Sequence, residues 1–363
     1  MTQARAEVER EDPVAANGGA PERARLRPLV SVCVSAYNVE AYVREAIESI
    51  LAQTYDELEV IVVDNGSTDG TYAVLESIED ERLRCFRLPE NIGGYQAMNL
   101  VASMASGELV AIYHSDDVYT PAIVEKQVEY LVSHPDAGAV FAMCDFIDEN
   151  GAPCGRLDLV SELTGREHVG YEDAYRSMLR HGNVMFVCPT FMVRRSVLQE
   201  VGPFDADRWD IASDQEMWLR LSRRYPVGIL EERLLRYRHT PDQWTKRWKM
   251  LRTDPDRSLD VMELYLEQDG WRERLSKAEL CELRYLRCDD ETTRAANAVI
   301  LGRIDLARTL LGRRYPYGAL LVNLRRRKIR VLLLRGLMKA ALAVGATSAL
   351  RRLLRGTEYR EWR

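Results

Sequence analysis

The chain has 363 residues, 46% of them hydrophobic and 29% charged, with a formal net charge of −6. This is ordinary globular composition, which excludes collagen-like, coiled-coil and wholly disordered chains; the length suits a domain of roughly 200–250 residues plus a second element. Residues 313–363 carry 14 Lys and Arg against 2 Asp and Glu, leaving −18 on the rest, so a uniformly basic nucleic-acid binder is disfavoured and the tail is expected to meet something anionic.

Residues 1–28 are polar and rich in Gly and Pro, and read as a disordered leader without a secretory apolar stretch. From residue 29 the pattern changes. LVSVCVSAYN reads as a buried strand, 39–52 as an amphipathic helix and LEVIVVD at 58–64 as a second buried strand. Helices are expected over 69–79, 94–105 and 123–133, and strands over 82–88, 108–117 and 138–148. This alternation predicts an α/β fold, a mostly parallel sheet flanked by helices, with ligands at the carboxyl ends of the strands. After about residue 150 the alternation stops. A mixed region with an aromatic helix near DQEMWLRLS leads into a Leu/Glu/Arg-rich helical stretch over 255–315, where AANAVILGRIDLARTLLGRRYP looks like one helix-turn-helix of a tetratricopeptide-like array without a second copy. The expected organisation is a leader at 1–28, a sheet domain at 29–245 and a helical C-terminal region at 246–363 with a basic amphipathic tail. No run of 18 uncharged apolar residues predicts a membrane span.

Seven scattered Cys without a CxxC pair and five His without HExxH exclude the common zinc arrangements. The odd number of thiols favours a reducing compartment. GxGxxG and the P-loop signature are both missing. Four polar clusters remain. HSDD places Asp116 and Asp117 at a strand end, where adjacent carboxylates suit a hard divalent ion such as Mg²⁺ or Mn²⁺ or, more plainly, a helix start. DNGSTDGT makes a strand–turn–helix and leaves Asp64 and Asn65 to read a base or ribose. ENIGGYQAMN sets Gly93 and Gly94 at a helix start, open to close backbone approach and to an anion. SDQEMWLRL puts Asp214 and Glu216 ahead of an amphipathic helix, as caps or as functional acids.

Taken in order, VSVCVSAYNVEAY, VIVVDNGSTDGT, ENIGGYQAMN, GELVAIYHSDDVYTP, CPTFMVRRSVLQEVGPFD and SDQEMWLRL resemble the family 2 inverting glycosyltransferases of the GT-A fold over about residues 29–240. The resemblance implies a nucleotide-binding loop at Ser35, Ala36, Tyr37 and Asn38, with Tyr37 on the base and Glu40 nearby. It implies Asp116 at the ribose or metal shell, Asp117 as ligand of the divalent ion and Asp214 as catalytic base. Asn65 stands where the family often has Asp, and its amide is complementary to uracil or thymine, so UDP or dTDP is expected. His239, after Tyr237 and Arg238, is a candidate metal ligand. QWTKRW sets Gln243 one residue too far from Arg247 and Trp248 for the QxxRW of processive polymerases, which favours single transfer. The implied activity is metal-dependent transfer of a sugar to a carbohydrate, lipid-linked or other hydroxyl acceptor, in the cytoplasm or on the cytoplasmic face of a membrane. The competing readings are a non-catalytic scaffold and a sugar nucleotidyltransferase. The latter's Gly-rich, basic phosphate loop is missing from SAYNVEAY.

Overall fold

The computed structural model describes residues 27–240, 252–268, 270–318 and 326–356. Most of the expected leader and the QWTKRW segment lie outside them.

The first half alternates strand and helix: β1 (Val30–Ala36), α1 (Val43–Leu51), β2 (Leu58–Asp64), α2 (Thr71–Glu76), β3 (Leu83–Arg87), α3 (Gly94–Ser103) and β4 (Leu109–His114). The Val- and Ile-rich strands β1, β2 and β4 are buried nearly throughout because crossover helices cover both faces. Helix α1 turns Val43, Ala46, Ile47 and Ile50 inward. The short β5 (Val118–Tyr119) precedes α4 (Ile123–Ser133) and β6 (Ala139–Ile147).

Beyond residue 150 come strands that composition did not reveal: β7 (Pro153–Leu157), β8 (Phe191–Arg194) and β9 (Val227–Arg238). They are interleaved with α5 (Tyr171–His181), α6 (Arg195–Val201), α7 (Ala206–Trp209) and α8 (Ser213–Ser222). The sheet runs β3-β2-β1-β4-β8-β6-β9-β5, with β7 against β6. Ladders among β1–β4 are all parallel; β8 enters antiparallel to both β4 and β6, and β9 runs parallel to β6. This is a mixed α/β architecture, with the carboxyl ends of β1, β2 and β4 forming one rim. Strand β4 stops at His114, and Ser115 to Asp117 form the connection to β5.

The remainder is helical: α9 (Arg257–Leu266), α10 (Trp271–Arg274), α11 (Lys277–Leu301), α12 (Ile304–Leu311), α13 (Arg326–Ala343) and α14 (Thr347–Gly356). A full capping box at Ser276 and Glu279 starts α11, and Gly302 (φ 84°) turns the chain into α12. The main core continues past the expected boundary at residue 245, because Val261, Met262, Tyr265 and Trp271 pack into it. A second core joins Ala295 and Val299 of α11 to Met338, Leu342, Leu350 and Leu354.

The tail cations divide between inside and outside. Arg335 is only 2% exposed and donates to Thr292 Oγ1 (3.0 Å) and to the carbonyls of Leu310 and Arg313 (both 2.9 Å), while Lys339 faces solvent. The α11 and α12 surface supplies acceptors that a guanidinium can satisfy at once, which offsets its burial. No helix among the described residues is long and apolar enough to cross a membrane.

Candidate active site

Two loops meet at the rim of β1 and β2. Asn38, in a left-handed conformation (φ 51°), gives its backbone N–H to Ser67 Oγ (3.0 Å) and takes the Thr68 N–H on Oδ1 (2.9 Å). Glu40 accepts the Gly70 N–H at 3.0 Å and donates its own N–H to Asp69. Ser35 and Ala36 end β1 beneath this junction, and Tyr37 stands 43% exposed on it. Asp64 is buried; Oδ1 takes the Ser67 N–H and Oδ2 lies 3.3 Å from Arg87 Nε.

Asn65 turns into the protein. It is buried, and its amide donates to Asn91 Oδ1 (3.1 Å) and the Gly93 carbonyl (3.2 Å), while Oδ1 takes the Ile92 N–H (2.9 Å). Both amide hydrogens are spent inside the protein, so the donor–acceptor pattern expected to meet uracil or thymine instead clamps the loop carrying Gly93 and Gly94. Gly66 lets that loop approach: its φ is +72°, and a Cβ there would lie 2.4 Å from the Glu90 carbonyl carbon. Gly93 (φ 102°) then turns the chain into α3, and nothing lies within 4 Å of a Cβ built on Gly94.

At the end of β4, one donor atom from each of His114, Asp116 and Asp117 falls within 4.8 Å of the others. Asp117 is 1% exposed, and its Oδ1 accepts the Arg238 N–H at 2.7 Å. Its Oδ2 and His114 Nε2 are buried without a hydrogen-bond partner. Burial pushes both aspartate pKa values up, Asp117 further because Asp116 is beside it, and holds the His114 imidazole low and hence neutral. Orphaned buried donors of oxygen and imidazole type fit a divalent cation. His114 is visible in the sequence as the residue that opens HSDD, but an isolated His next to a carboxylate pair is no metal signature by itself. His239 lies outside this trio. Its ring packs on Phe146 (4.8 Å between centroids) and Tyr237 (5.5 Å), and its Nδ1 is buried without a hydrogen-bond partner.

The trio is held by Arg238, which the sequence did not single out. Its side chain is buried; Nε donates to the Asp116 carbonyl (2.8 Å), one terminal nitrogen reaches Glu45 of α1 (2.6 Å), and the guanidinium covers the Tyr42 ring. The Tyr119 hydroxyl takes the His114 N–H at 2.6 Å, with its ring stacked on Tyr113 at 4.1 Å.

Asp214 opens α8. The helix is anchored by Trp218, whose indole lies 4.5 Å from the Phe191 ring and 4.8 Å from that of Phe141. Asp214 takes the Gln215 N–H on Oδ1 (2.6 Å) and the Asn183 amide on Oδ2 (3.0 Å). Burial pushes its pKa up to about 6 against the pull of these donors and of the Tyr95 hydroxyl. Asn183 and Tyr95 carried no sequence signal. Glu216, the competing acid, is committed elsewhere: Arg220 bonds both its oxygens and the Tyr265 hydroxyl donates at 2.8 Å. Burial, then Asp214, then Asp117 raise the Cys188 thiol. Cys188 is thus within electrostatic reach of both Asp214 and Asp117. A cleft of 540 Å³ opens from Asp214 and Asn183 towards His181, Met262, Tyr285 and Lys328, so α9, α11 and α13 form its far wall.

Residues 31–202 match the family described as Glycosyl transferase family 2. An uncharacterised glycosyltransferase of Haemophilus influenzae is 32% identical over 221 residues, 58% of this chain and 65% of that protein, just under two thirds of its length. The putative teichuronic acid biosynthesis glycosyltransferase TuaG of Bacillus subtilis is 30% identical over 58% of this chain and 79% of its own. WfaP of Escherichia coli, named as a UDP-Glc:α-D-GlcNAc-diphosphoundecaprenol β-1,3-glucosyltransferase, is 27% identical over 53% of this chain and 70% of its own.

Proposed function

The chain belongs to glycosyltransferase family 2, and on that premise we propose that it transfers a sugar, with inversion, from a nucleoside-diphosphate donor to a hydroxyl of a glycan or lipid-linked acceptor in glycan synthesis. The observation that carries this reading is the trio of His114, Asp116 and Asp117 with its unpartnered buried donor atoms, alongside a separate carboxylate, Asp214, that opens on a cleft. UDP is the expected nucleotide, by kinship with WfaP, whose name specifies UDP-Glc; that name also supports a diphospholipid-linked acceptor.

His114, Asp116 and Asp117 would hold the cation, Mn²⁺ or Mg²⁺, with His239 as a further candidate. Such an ion supplies positive charge to the diphosphate as it departs. Tyr37 offers a ring to the base, and the rim of Ser35, Ala36, Asn38, Glu40, Asp64, Gly93 and Gly94 shapes the nucleotide site. The acceptor lies in the cleft, its hydroxyl proton aimed at an Asp214 oxygen. Asp214 accepts that proton as the acceptor oxygen bonds to the anomeric carbon and the bond to the diphosphate breaks, its electron pair leaving with the phosphate oxygen. Asn183 and the Gln215 N–H fix the carboxylate while it does so. Attack opposite the leaving group inverts the anomeric carbon.

Nucleotide release over a panel of UDP-, dTDP- and GDP-sugars tests the reading, with Mn²⁺ or Mg²⁺ and with excess chelator. UDP release that needs the cation is the expected result. Full turnover in chelator would sink the metal assignment, and GDP release alone would sink the nucleotide assignment.

A further inference from the structure

Helix α13 has two unlike faces. Inward, Val331, Arg335, Met338 and Leu342 are buried against α11 and α12. Outward stand Ile329, Leu333 (66% exposed), Leu337 and Ala340, with Val344 (79% exposed) just beyond the helix end. At about 100° per residue these five fall within an arc of about 80°, opposite the buried face. Arg330 lies about 20° beyond one edge of that arc and Lys339 about 80° beyond the other, both exposed. Arg352 of α14 is exposed too. Residues 326–356 contain no Asp or Glu. A core-facing helix needs one apolar stripe; this one carries a second, on its solvent side, with cations on its flanks.

We infer that the outer face of α13 docks on an anionic lipid surface, with the Ile329–Leu333–Leu337 stripe seated among the acyl chains and Lys339 and Arg330 at the headgroups. An apolar stripe between cations, on a 326–356 segment that itself holds no carboxylate, is an arrangement that binds an interface and senses its charge. A second copy of the chain is a poorer occupant. Isologous pairing of this face would bring the same cationic flanks together. The buried Arg335 takes no part, since its side chain faces inward and its terminal nitrogens donate to Thr292, Leu310 and Arg313.

The test uses the full chain, because Met338 and Leu342 are core residues and truncation would disturb more than the outer face. Sedimentation is measured with vesicles of phosphatidylcholine alone and of equal parts phosphatidylcholine and phosphatidylglycerol, at low and high salt. The chain should sediment with the mixed vesicles at low salt, release at high salt and ignore the neutral ones. Leu333→Asp/Leu337→Asp and Lys339→Glu should each lower the bound fraction about tenfold, with an unchanged melting temperature and unchanged nucleotide release towards a water-soluble acceptor. That last readout separates failure of docking from failure of the enzymatic reading. Failure to sediment, or equal sedimentation of the variants, would overturn the inference. So would a drop in melting temperature or a change of oligomeric state in the Leu variant, since either would mean that protein covers the face.

Discussion

Asp214 and Glu216 differ in sequence by two positions and one methylene, yet their surroundings assign them opposite work. Glu216 is closed into an ion pair with Arg220 and a bond from Tyr265, whereas Asp214 opens on the cleft with a pKa near 6. The base must be ionised, so transfer should rise with pH and reach half its plateau near pH 6. Asp214→Asn should lower transfer by about 10²–10⁴-fold and leave metal-dependent nucleotide binding intact by calorimetry. The raised pKa also means that the folded state holds this proton more tightly than the unfolded chain does. Stability present below about pH 4 is therefore lost as pH rises through about 6. Asp214→Asn should consequently melt higher at pH 8 by the equivalent of about 1–3 kcal/mol, with no gain at pH 4. Glu216→Gln should do the reverse, costing about 1–3 kcal/mol while keeping the pH midpoint. Asn65→Ala, which frees three bonds to residues 91–93, should weaken UDP, dTDP and GDP alike. Selective loss of the pyrimidine nucleotides would restore Asn65 as the base reader.

At the scale of elements, the site is built by fastening strand ends to one another. Gly66 admits the 90–93 loop, and Gly66→Ala should cost about 1–3 kcal/mol for its positive φ and backbone clash, read as a lower melting temperature. Arg238 ties β9 and α1 to the acidic trio. Arg238→Met should raise the Mn²⁺ needed for half-maximal activity about 10-fold or more, with little change in the pH midpoint set by Asp214. The parallel half was legible because doubly buried strands are apolar runs separated by amphipathic helices; nine elements from β1 to β6 emerge within a few residues of expectation, the two-residue β5 excepted. Strands β7, β8 and β9 were hidden. β7 is largely exposed, β8 is only four residues long, and β9 interrupts its buried positions with an exposed, charged run, Glu231 to Arg233. The same holds for the site. Asp116, Asp117 and Asp214 declare themselves by charge at element ends, while Arg238, Asn183 and Tyr95 matter through neighbours 31 to 122 positions away, in the cases of Asn183 and Arg238, and no local pattern encodes such partners.

Across the whole molecule, the helical C-terminal region is a wall of the cleft as well as an appendage. Ending the chain at residue 318 would strip Met338, Leu342, Leu350 and Leu354 from the second core. Each such loss is worth about 2–5 kcal/mol in a packed interior, so this truncation should yield a protein that melts far lower or aggregates, as scanning calorimetry would show. The basic tail was legible as charge, but which of its cations turn inward depended on carbonyls of α11 and α12 that composition does not locate. Lys328 and Ile329 are consecutive residues of α13: the first lines the cleft that reaches Asp214, and the second begins the exposed stripe. The acceptor entrance and the proposed lipid-seating face are therefore separated by about one helix diameter, about 10 Å. An enzyme seated this way would search for its acceptor in two dimensions. Its rate on a lipid-linked acceptor would follow the mole fraction of that lipid in the surface, falling when inert lipid is added at constant acceptor concentration.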